Sequence, residues 1–379
     1  MRKNNSDSKD VLVSGRIITP HGVLLGALLI LSSLTQSKPL FAASHRVTNN
    51  HNAISKTMRR GETVLVVQEG PGKVVIFSAF NPSQSKTVDV GEKPHEIELT
   101  EDGETAFVSN FGLLDANHRV GTPGTTISVL DIKGGVERTR FHLPEGLTAP
   151  HGLKLRPPAY QELFTNTEEG KEEMIVFEAN SGAVRRHFAL PHGVHNFIFN
   201  ADGTALFAFA TTSEIFRIDP DHGTVTATAK LSSPRGFTWT ADQRQLIVGC
   251  LNELVLLDPE TLSVIHRFGD LGGGQIFYPA VTLDGRWILA PALLDGVVLM
   301  VNAITGAVEH RIETGSPLQI IPDGRRAWVS NVRVPASMLK PNAKPANGGV
   351  VLIDLNTFSM MPIGEIPDNH GIAVTMQRN

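Results

Sequence analysis

One segment recurs along the chain as an apolar strand, a turn and a second strand, and this recurrence constrains the fold more than any other feature. Two copies read PHEIELTEDGETAFVSN (94–110) and PLQIIPDGRRAWVSN (317–331). One marker position at the start of each copy is occupied in turn by His95, His151, His195, Arg235, Tyr278, Leu318 and His370. The markers are spaced by 56, 44, 40, 43, 40 and 52 residues, which is typical of one four-stranded propeller blade.

Each copy continues with two more short strand-like runs, and no helix-length period is evident. The last copy, NHGIAVTM (369–376), lacks the other three strands of its blade, whereas three unassigned strand-like runs occupy residues 62–68, 73–79 and 85–90. Joining the two chain ends completes a seventh blade and closes the ring without a free edge. The sequence therefore predicts an all-β, seven-bladed β-propeller with four-stranded blades over residues 61–379.

Asp-Gly pairs mark the turn between the first two strands of four repeats, at residues 102–103, 202–203, 284–285 and 323–324. Such pairs are typical of tight hairpins that need residues with positive φ. We therefore expect both residues of each pair to supply that conformation.

The N-terminal 43 residues have the order of a secretory signal peptide. Basic residues precede the apolar run 22–34, and small residues follow it at 42–44. The run is shorter than the roughly 20 residues of a membrane span, so cleavage near Ala43 is expected, with an uncleaved anchor as the alternative. The prediction is a linker at 44–60, a periplasmic or secreted propeller, and no transmembrane domain after cleavage.

Charge and cysteine content exclude several classes of protein. Five of the 34 Lys/Arg and two of the 38 Asp/Glu lie in residues 1–43, so the mature chain carries 29 basic and 36 acidic residues, a formal charge of about −7. Nucleic-acid binding needs a basic surface to neutralise phosphates, and we do not expect it. The single cysteine excludes an intrachain disulfide framework and a cysteine-based zinc or iron–sulfur site.

The two copies quoted above resemble the YVTN family of β-propeller repeats, whose usual form is similar to P-x-x-I-x-x-x-P-D-G-x-x-x-Y-V-x-N. The resemblance covers essentially residues 61–379. It implies a propeller shared by surface-layer-like proteins, lactonase-like enzymes, the haem d1-binding domain of nitrite reductases and quinoprotein amine dehydrogenase-like subunits. It is specific for the fold and leaves the activity open.

The seven marker residues should form a ring at one mouth of the axial channel, because each begins the innermost strand of its blade. His370, His95, His151 and His195 then lie on consecutive blades, followed by Arg235 and by the apolar side of Tyr278 and Leu318. Converging imidazoles are ligands for copper, zinc or iron, so the four histidines are candidate metal ligands. With Arg235 they could instead bind an anionic ligand, and each histidine could also serve only the turn that carries it.

Carboxylates at the same face could complete an acid/base site. Glu69 and Glu168 lie in turns that should point to the channel mouth, and His95, His151 and Glu168 are the candidate catalytic residues. His195, Arg235, His370, Tyr278 and Glu69 are the candidate ligand-binding residues. Two long loops, at residues 112–124 and 332–348, should cover the mouth near His95 and His370 as a lid or as solvated loops.

Three functions follow, and the sequence does not choose between reaction types. The first is an exported propeller that binds a small ligand or one transition metal ion (copper, zinc or iron) at the mouth. The second is a lactonase-like hydrolase or a metal-dependent lyase or oxidoreductase at the same site. The third is a scaffold that binds another periplasmic protein, with structural histidines.

Overall fold

The computed structural model describes residues 63–112, 121–334, 347–364 and 366–375. These residues form seven sheets of four antiparallel strands, so the prediction of an all-β, seven-bladed propeller is confirmed. We number blades 1 to 6 in chain order, call the seventh the closing blade, and name strands A to D from the channel outward. Of the chain before residue 63, which includes the expected signal peptide and linker, nothing is described.

Blades 1 to 3 contain the following strands: β4 (Pro94–Leu99), β5 (Thr105–Asn110), β6 (Thr126–Asp131), β7 (Val136–His142); β8 (Leu147–Leu155), β9 (Glu162–Gly170), β10 (Glu173–Glu178), β11 (Val184–Ala189); β12 (Val194–Phe199), β13 (Leu206–Ala210), β14 (Glu214–Ile218), β15 (Val225–Lys230). Blades 4 to 6 contain these: β16 (Phe237–Trp239), β17 (Leu246–Gly249), β18 (Leu254–Leu257), β19 (Val264–Phe268); β20 (Ala280–Val281), β21 (Trp287–Ala292), β22 (Val297–Asn302), β23 (Val308–Glu313); β24 (Pro317–Asp323), β25 (Arg326–Arg333), β26 (Asn347–Asp354), β27 (Met360–Gly364). A short 3-10 helix (Leu293–Asp295) lies between β21 and β22. Among the described residues, no helix is long and apolar enough to cross a membrane.

The closing blade combines both ends of the propeller, as predicted. It consists of β28 (Asn369–Thr375) as strand A with β1 (Thr63–Gln68), β2 (Lys73–Ser78) and β3 (Asn81–Asp89) as strands B to D. The C-terminal strand pairs antiparallel with β1, and Thr63 lies opposite Thr375. The ring is thereby closed by main-chain hydrogen bonds, which leaves no inner strand without a partner.

Seven apolar clusters hold the blades together, one at each interface between neighbours. Strands B and C are buried on both faces because blades pack face to face, so their sequences are continuous apolar runs such as VLVV at the start of the closing blade. The outer strands D are mostly exposed or half-buried, as in VTATAK of β15. Packing between blades therefore places every strand A around the axial channel.

The turns between strands A and B differ in one respect from the prediction. In each Asp-Gly pair the glycine has positive φ (Gly103, Gly203, Gly285 and Gly324), whereas the aspartates are not among the positive-φ residues. Asp102 instead accepts hydrogen bonds from the Thr100 hydroxyl and the Glu104 amide. The aspartate thus stabilises the turn through its side chain, because only glycine takes the left-handed conformation without strain.

Candidate functional site

A left-handed residue precedes the marker position by two residues in five of the seven blades. It has φ between 46° and 80° and is Lys93, Ala149, Gly193, Ser233 or Asp368. Four of these residues are not glycine, so the conformation costs free energy that the surrounding structure must supply. The repeated geometry turns the chain from strand D of one blade into strand A of the next and sets the position of the marker.

A β-bulge then follows at the marker itself. In blade 1, His95 and Glu96 together lie opposite the single residue Ser109 of strand B, since Pro94 pairs with Asn110 and Ile97 with Val108. Equivalent register shifts occur at His151, His195, Leu318 and His370. A bulge bends its strand and redirects a side chain. The marker side chains thereby reach the channel mouth. In an ideal strand, alternation would direct every second side chain away from the mouth.

Polar side chains of strand B fix the bulged backbone of the next blade. The Ser109 hydroxyl donates to the carbonyl of His151 at 2.8 Å, and the Ser330 hydroxyl donates to that of His370 at 2.8 Å. The Asn166 amide donates to the His195 carbonyl at 3.3 Å. These serines and the asparagine occupy two adjacent positions of the V-S-N-like end of their repeats, so polar residues at this end position the histidine of the neighbouring blade.

The four predicted histidines meet at the mouth in one cluster. The ring centroids are 4.5 Å apart for His370 and His95, 5.0 Å for His95 and His151, and 4.1 Å for His151 and His195. Phe111 packs against His95 at 4.5 Å and against His151 at 5.4 Å. We call His95, His151, His195 and His370 the histidine cluster.

Glu168 completes one half of the histidine cluster. Its Oε1 atom lies 2.8 Å from Nδ1 of His195 and 3.6 Å from Nδ1 of His151. His151 is 1% exposed, and the Glu168 side chain is 11% exposed. Among the described residues, His151, Glu168 and His195 are the one group of three potential ligands whose donor atoms all lie within 4.8 Å of one another.

Glu69 stands at the other half of the cluster. Its Oε1 atom is 3.6 Å from Nε2 of His95 and 3.2 Å from Nζ of Lys93. Burial is the main reason that the pKa of His95 lies well below its ordinary value, and the neighbouring His370 lowers it further. His95 is therefore a neutral imidazole at neutral pH, able to accept a proton or to bind a metal.

Arg235 and Tyr278 lie on the following two blades, beside one another. Nη1 of Arg235 donates to the Pro234 carbonyl at 2.8 Å, and the Tyr278 amide donates to the Arg235 carbonyl at 2.8 Å. Tyr278 accepts from the Asn196 amide through its phenol oxygen at 3.2 Å. Burial is the main cause of the raised pKa of Tyr278. Leu318 packs in a small apolar cluster that also reaches Tyr278, whereas the Tyr278 phenol lies against the axial residue Asn196.

In three blades the residue after the marker forms a layer beneath the histidine cluster, which the sequence analysis missed. Glu96, from blade 1, accepts hydrogen bonds from the side-chain amides of Asn196 at 3.3 Å and Gln319 at 2.9 Å. These residues belong to blades 1, 3 and 6, so their side chains meet across the channel axis. We call Glu96, Asn196 and Gln319 the floor. The repeat alignment contained the signal, since all three residues occupy the same position of their copies.

A cavity of about 430 Å³ occupies the channel on the floor side. Its lining includes the floor and residues from all seven blades, among them Lys154, Phe237 and Tyr278. The histidine cluster is not part of this lining. The axial region therefore has two distinct polar layers, the histidine cluster at the mouth and the floor with its cavity.

The remaining loops and residues of interest lie outside the histidine cluster or outside the described residues. Of the two expected lid loops, residues 113–120 and 335–346 fall outside the described part of the chain. Cys250 is buried, and burial raises its pKa to about 12, which is typical of a structural thiol. His310, on the outer strand β23, is half-buried and stacks on Phe358.

Comparison with known proteins identifies the fold alone. No protein-family model and no curated protein matches the sequence, so the YVTN family remains a resemblance. A functionally unknown protein from Desulfotomaculum acetoxidans DSM 771 is 14% identical, with a TM-score of 0.61 over 82% of this chain and 98% of its own. The dihydro-heme d1 dehydrogenase NirN in complex with DHE is 12% identical, with a TM-score of 0.58 over 82% of this chain and 74% of its own. Kuenenia stuttgartiensis hydrazine synthase is 17% identical, with a TM-score of 0.55 over 71% of this chain and 89% of its own.

Proposed function

We propose that this propeller binds one transition metal ion at the channel mouth through His151, His195 and Glu168. The observation that carries the proposal is the position of the Glu168 carboxylate, whose Oε1 atom approaches Nδ1 of both histidines at 3.6 and 2.8 Å. Two imidazoles and one carboxylate form a ligand set of zinc sites that keep an open fourth position. The same set with open positions also suits iron(II).

The distances are compatible with a metal after small rotations of the side chains. Zinc–nitrogen and zinc–oxygen bonds of about 2.0–2.1 Å in a tetrahedron place ligand atoms about 3.3 Å apart. The separation of 3.6 Å for His151 and Glu168 is close to that value, whereas the 2.8 Å between His195 and Glu168 would have to widen. The shorter distance is an ion-pair contact, and among the described residues the buried Oε1 atom of Glu168 has no hydrogen-bond partner, so a metal ion would use an oxygen that is otherwise unsatisfied.

His95 and His370 support the proposal from the open side of the three ligands. Their rings lie 5.0 and 6.4 Å from the ring of His151. Imidazoles at that range could bind a small ligand beside the metal, or supply a fourth metal ligand. The surrounding Phe111 and the near-complete burial of His151 limit the access of water to this side, which strengthens electrostatic interactions there.

The test is metal analysis of protein purified without chelator or histidine tag, followed by titration of the metal-free protein with zinc, iron(II), copper(II) and cobalt(II). We expect about one metal ion per chain and its loss in His195→Ala and Glu168→Gln. The matched control is His192→Ala, because His192 lies three residues before His195 but is 85% exposed and pairs with Glu172. A wild-type protein that binds none of these metals would overturn the proposal.

A second candidate is a hydrolase or lyase at the same site, and the pair formed by His95 and Glu69 favours it. A neutral His95 at 3.6 Å from Glu69 Oε1 is an arrangement in which the imidazole can act as a general base and the carboxylate can stabilise the protonated ring. A bound metal could polarise a carbonyl or activate water beside this pair. Lactones are the substrates to screen first, with His95→Ala expected to lose turnover while keeping the metal.

We further propose that the propeller acts in the periplasm or outside the cell, after cleavage of residues 1–43, and that it needs no nucleic acid. The support is the order of charges, apolar run and small residues at the N-terminus. N-terminal sequencing of the protein from fractionated cells would test this. A protein found intact in the cytoplasm would contradict it.

A further inference from the structure

Glu96 places a buried carboxylate on the axis of the propeller. The residue is 4% exposed, and its hydrogen-bond donors are the neutral amides of Asn196 and Gln319 and no charged group. Within the described part of the chain, Glu96 makes no ion pair with Lys, Arg or His at 4.0 Å or less. A buried carboxylate without a cationic partner is costly, so its presence in a cavity wall calls for a physical reason.

The other charges of the cavity do not neutralise Glu96. Nζ of Lys154 lies 3.2 Å from Oε2 of Glu98, which also accepts from the Leu155 amide. Lys154 and Glu98 thus form a neutral pair, and the cavity lining as a whole holds two carboxylates and one ammonium. One negative charge therefore remains in the lining, where Lys154 interacts electrostatically with Glu96 as well as with Glu98.

The remainder of the lining is apolar and partly aromatic. Phe209, Phe237 and Tyr278 line the cavity together with aliphatic residues of several strands A. A volume of about 430 Å³ is within the range of small-molecule sites. Aromatic faces attract cations, and a carboxylate that accepts two hydrogen bonds has lone pairs left for further donors.

We propose that the axial cavity is a second binding site, selective for a small organic ammonium ion that carries an apolar or aromatic group. The ammonium group donates to Glu96 and to the phenol oxygen of Tyr278, and the apolar group packs against Phe209 and Phe237. The site is separate from the metal site, because the cavity lining contains none of His151, Glu168 and His195. It therefore does not depend on the proposed function.

The first test uses the unaltered protein and three probes of similar shape, benzylamine, benzyl alcohol and benzoate, measured by calorimetric titration at pH 7. Benzylamine is cationic at this pH, so we expect it to bind at least tenfold more tightly than benzyl alcohol and benzoate not to bind. Equal affinity for benzylamine and benzyl alcohol would overturn the proposal, since it would reduce the cavity to an apolar hole. Absence of benzylamine binding would overturn it as well.

The second test assigns the site to Glu96. In Glu96→Gln, which keeps the size of the side chain and one of the two accepting oxygens that face Asn196 and Gln319, benzylamine affinity should fall at least tenfold and the preference over benzyl alcohol should disappear. The control Glu137→Gln removes one charge on the outer strand β7 and should leave affinity unchanged. His195→Ala should lose metal binding and keep benzylamine binding, whereas Glu96→Gln should keep metal binding and lose benzylamine binding. Failure of one site is therefore distinguishable from failure of the other. Unchanged benzylamine affinity in Glu96→Gln would refute the assignment.

Discussion

Replacement of Gly152 by alanine tests how the histidine cluster is positioned. Gly152 follows His151 in the bulge of blade 2 and is buried, and its amide donates to Oδ1 of Asn166 at 2.9 Å. A Cβ atom built at this position would lie 2.6 Å from Oδ1 of Asn166, 2.8 Å from Oδ1 of Asn196 and 3.1 Å from the ring of Phe197. All three neighbours are confined, so either the bulge or the two asparagines must move.

Overpacking of this kind costs about 1–3 kcal/mol in well-packed interiors. For a domain of this size, such a cost corresponds to a decrease in Tm of roughly 1.5–4.5 °C. Displacement of His151 should also weaken zinc binding about 10–100-fold, as loss of residues that support a ligand does. Gly152→Ala should show both effects in thermal unfolding followed by circular dichroism and in zinc titration of the metal-free protein.

The control is Gly269→Ala, because Gly269 is exposed and no atom lies within 4 Å of the added Cβ. Its Tm should stay within about 1 °C of wild type, since surface substitutions rarely exceed 0.5 kcal/mol. A Gly152→Ala protein with the Tm and the zinc affinity of the wild type would refute the reasoning, because the space around the bulge would then be larger than the structure places there.

Three further predictions concern other contacts. Ser109→Ala should lower the free energy of unfolding in urea by about 1–3 kcal/mol, because its buried hydroxyl serves both the His151 carbonyl and the Glu96 amide; a loss below 0.5 kcal/mol would contradict this. Cys250, with a pKa of about 12, should react with a thiol reagent only in the unfolded protein. Hydrogen bonds from Arg186 are the main cause that lowers the pKa of Glu162 from 4.5 to about 2. Its carboxylate therefore stabilises the fold above about pH 4.5 and loses that contribution as the pH falls toward 2, so Glu162→Gln should lower the urea midpoint at pH 7 and differ little from wild type near pH 2.

The number of blades and the closure of the ring were predictable because both depend on counting. The spacings of 40–56 residues between markers gave the number of blades. The single strand left over at His370 required three partner strands, and the N-terminal runs supplied them. The interfaces followed from the same pattern, since blades that pack face to face need continuous apolar strands B and C. The conformation of the Asp-Gly turns was predicted less well, because φ depends on which residue of the pair lacks a Cβ atom.

The histidine cluster was predictable as a set of positions, but the pairing within it was not. Nothing in the spacing of His95, His151, His195 and His370 distinguishes the two that approach Glu168 from the two that lie beside Glu69. That distinction depends on where the C-terminal end of β9, which extends through Glu168 to Gly170, places the Glu168 carboxylate. The bulges were also invisible, because an extra residue in strand A leaves no compositional mark, and an ideal strand alternation would assign the residues after the markers to the wrong face.

The floor explains why the repeats differ from one another at the position after the marker. Gly152, Gly236 and Gly371 occupy it in three blades, and a Cβ atom there would approach Asn196, Tyr278 or the His95 carbonyl closely. Small residues in these blades leave the axis free for the long side chains of the floor, which could not meet if seven equal side chains converged. A propeller whose blades were identical would exclude both axial layers. The positions at which the blades differ in sequence, rather than the shared repeat, therefore provide the space and the polar groups for chemistry. These positions concentrate on strands A, where the blades converge.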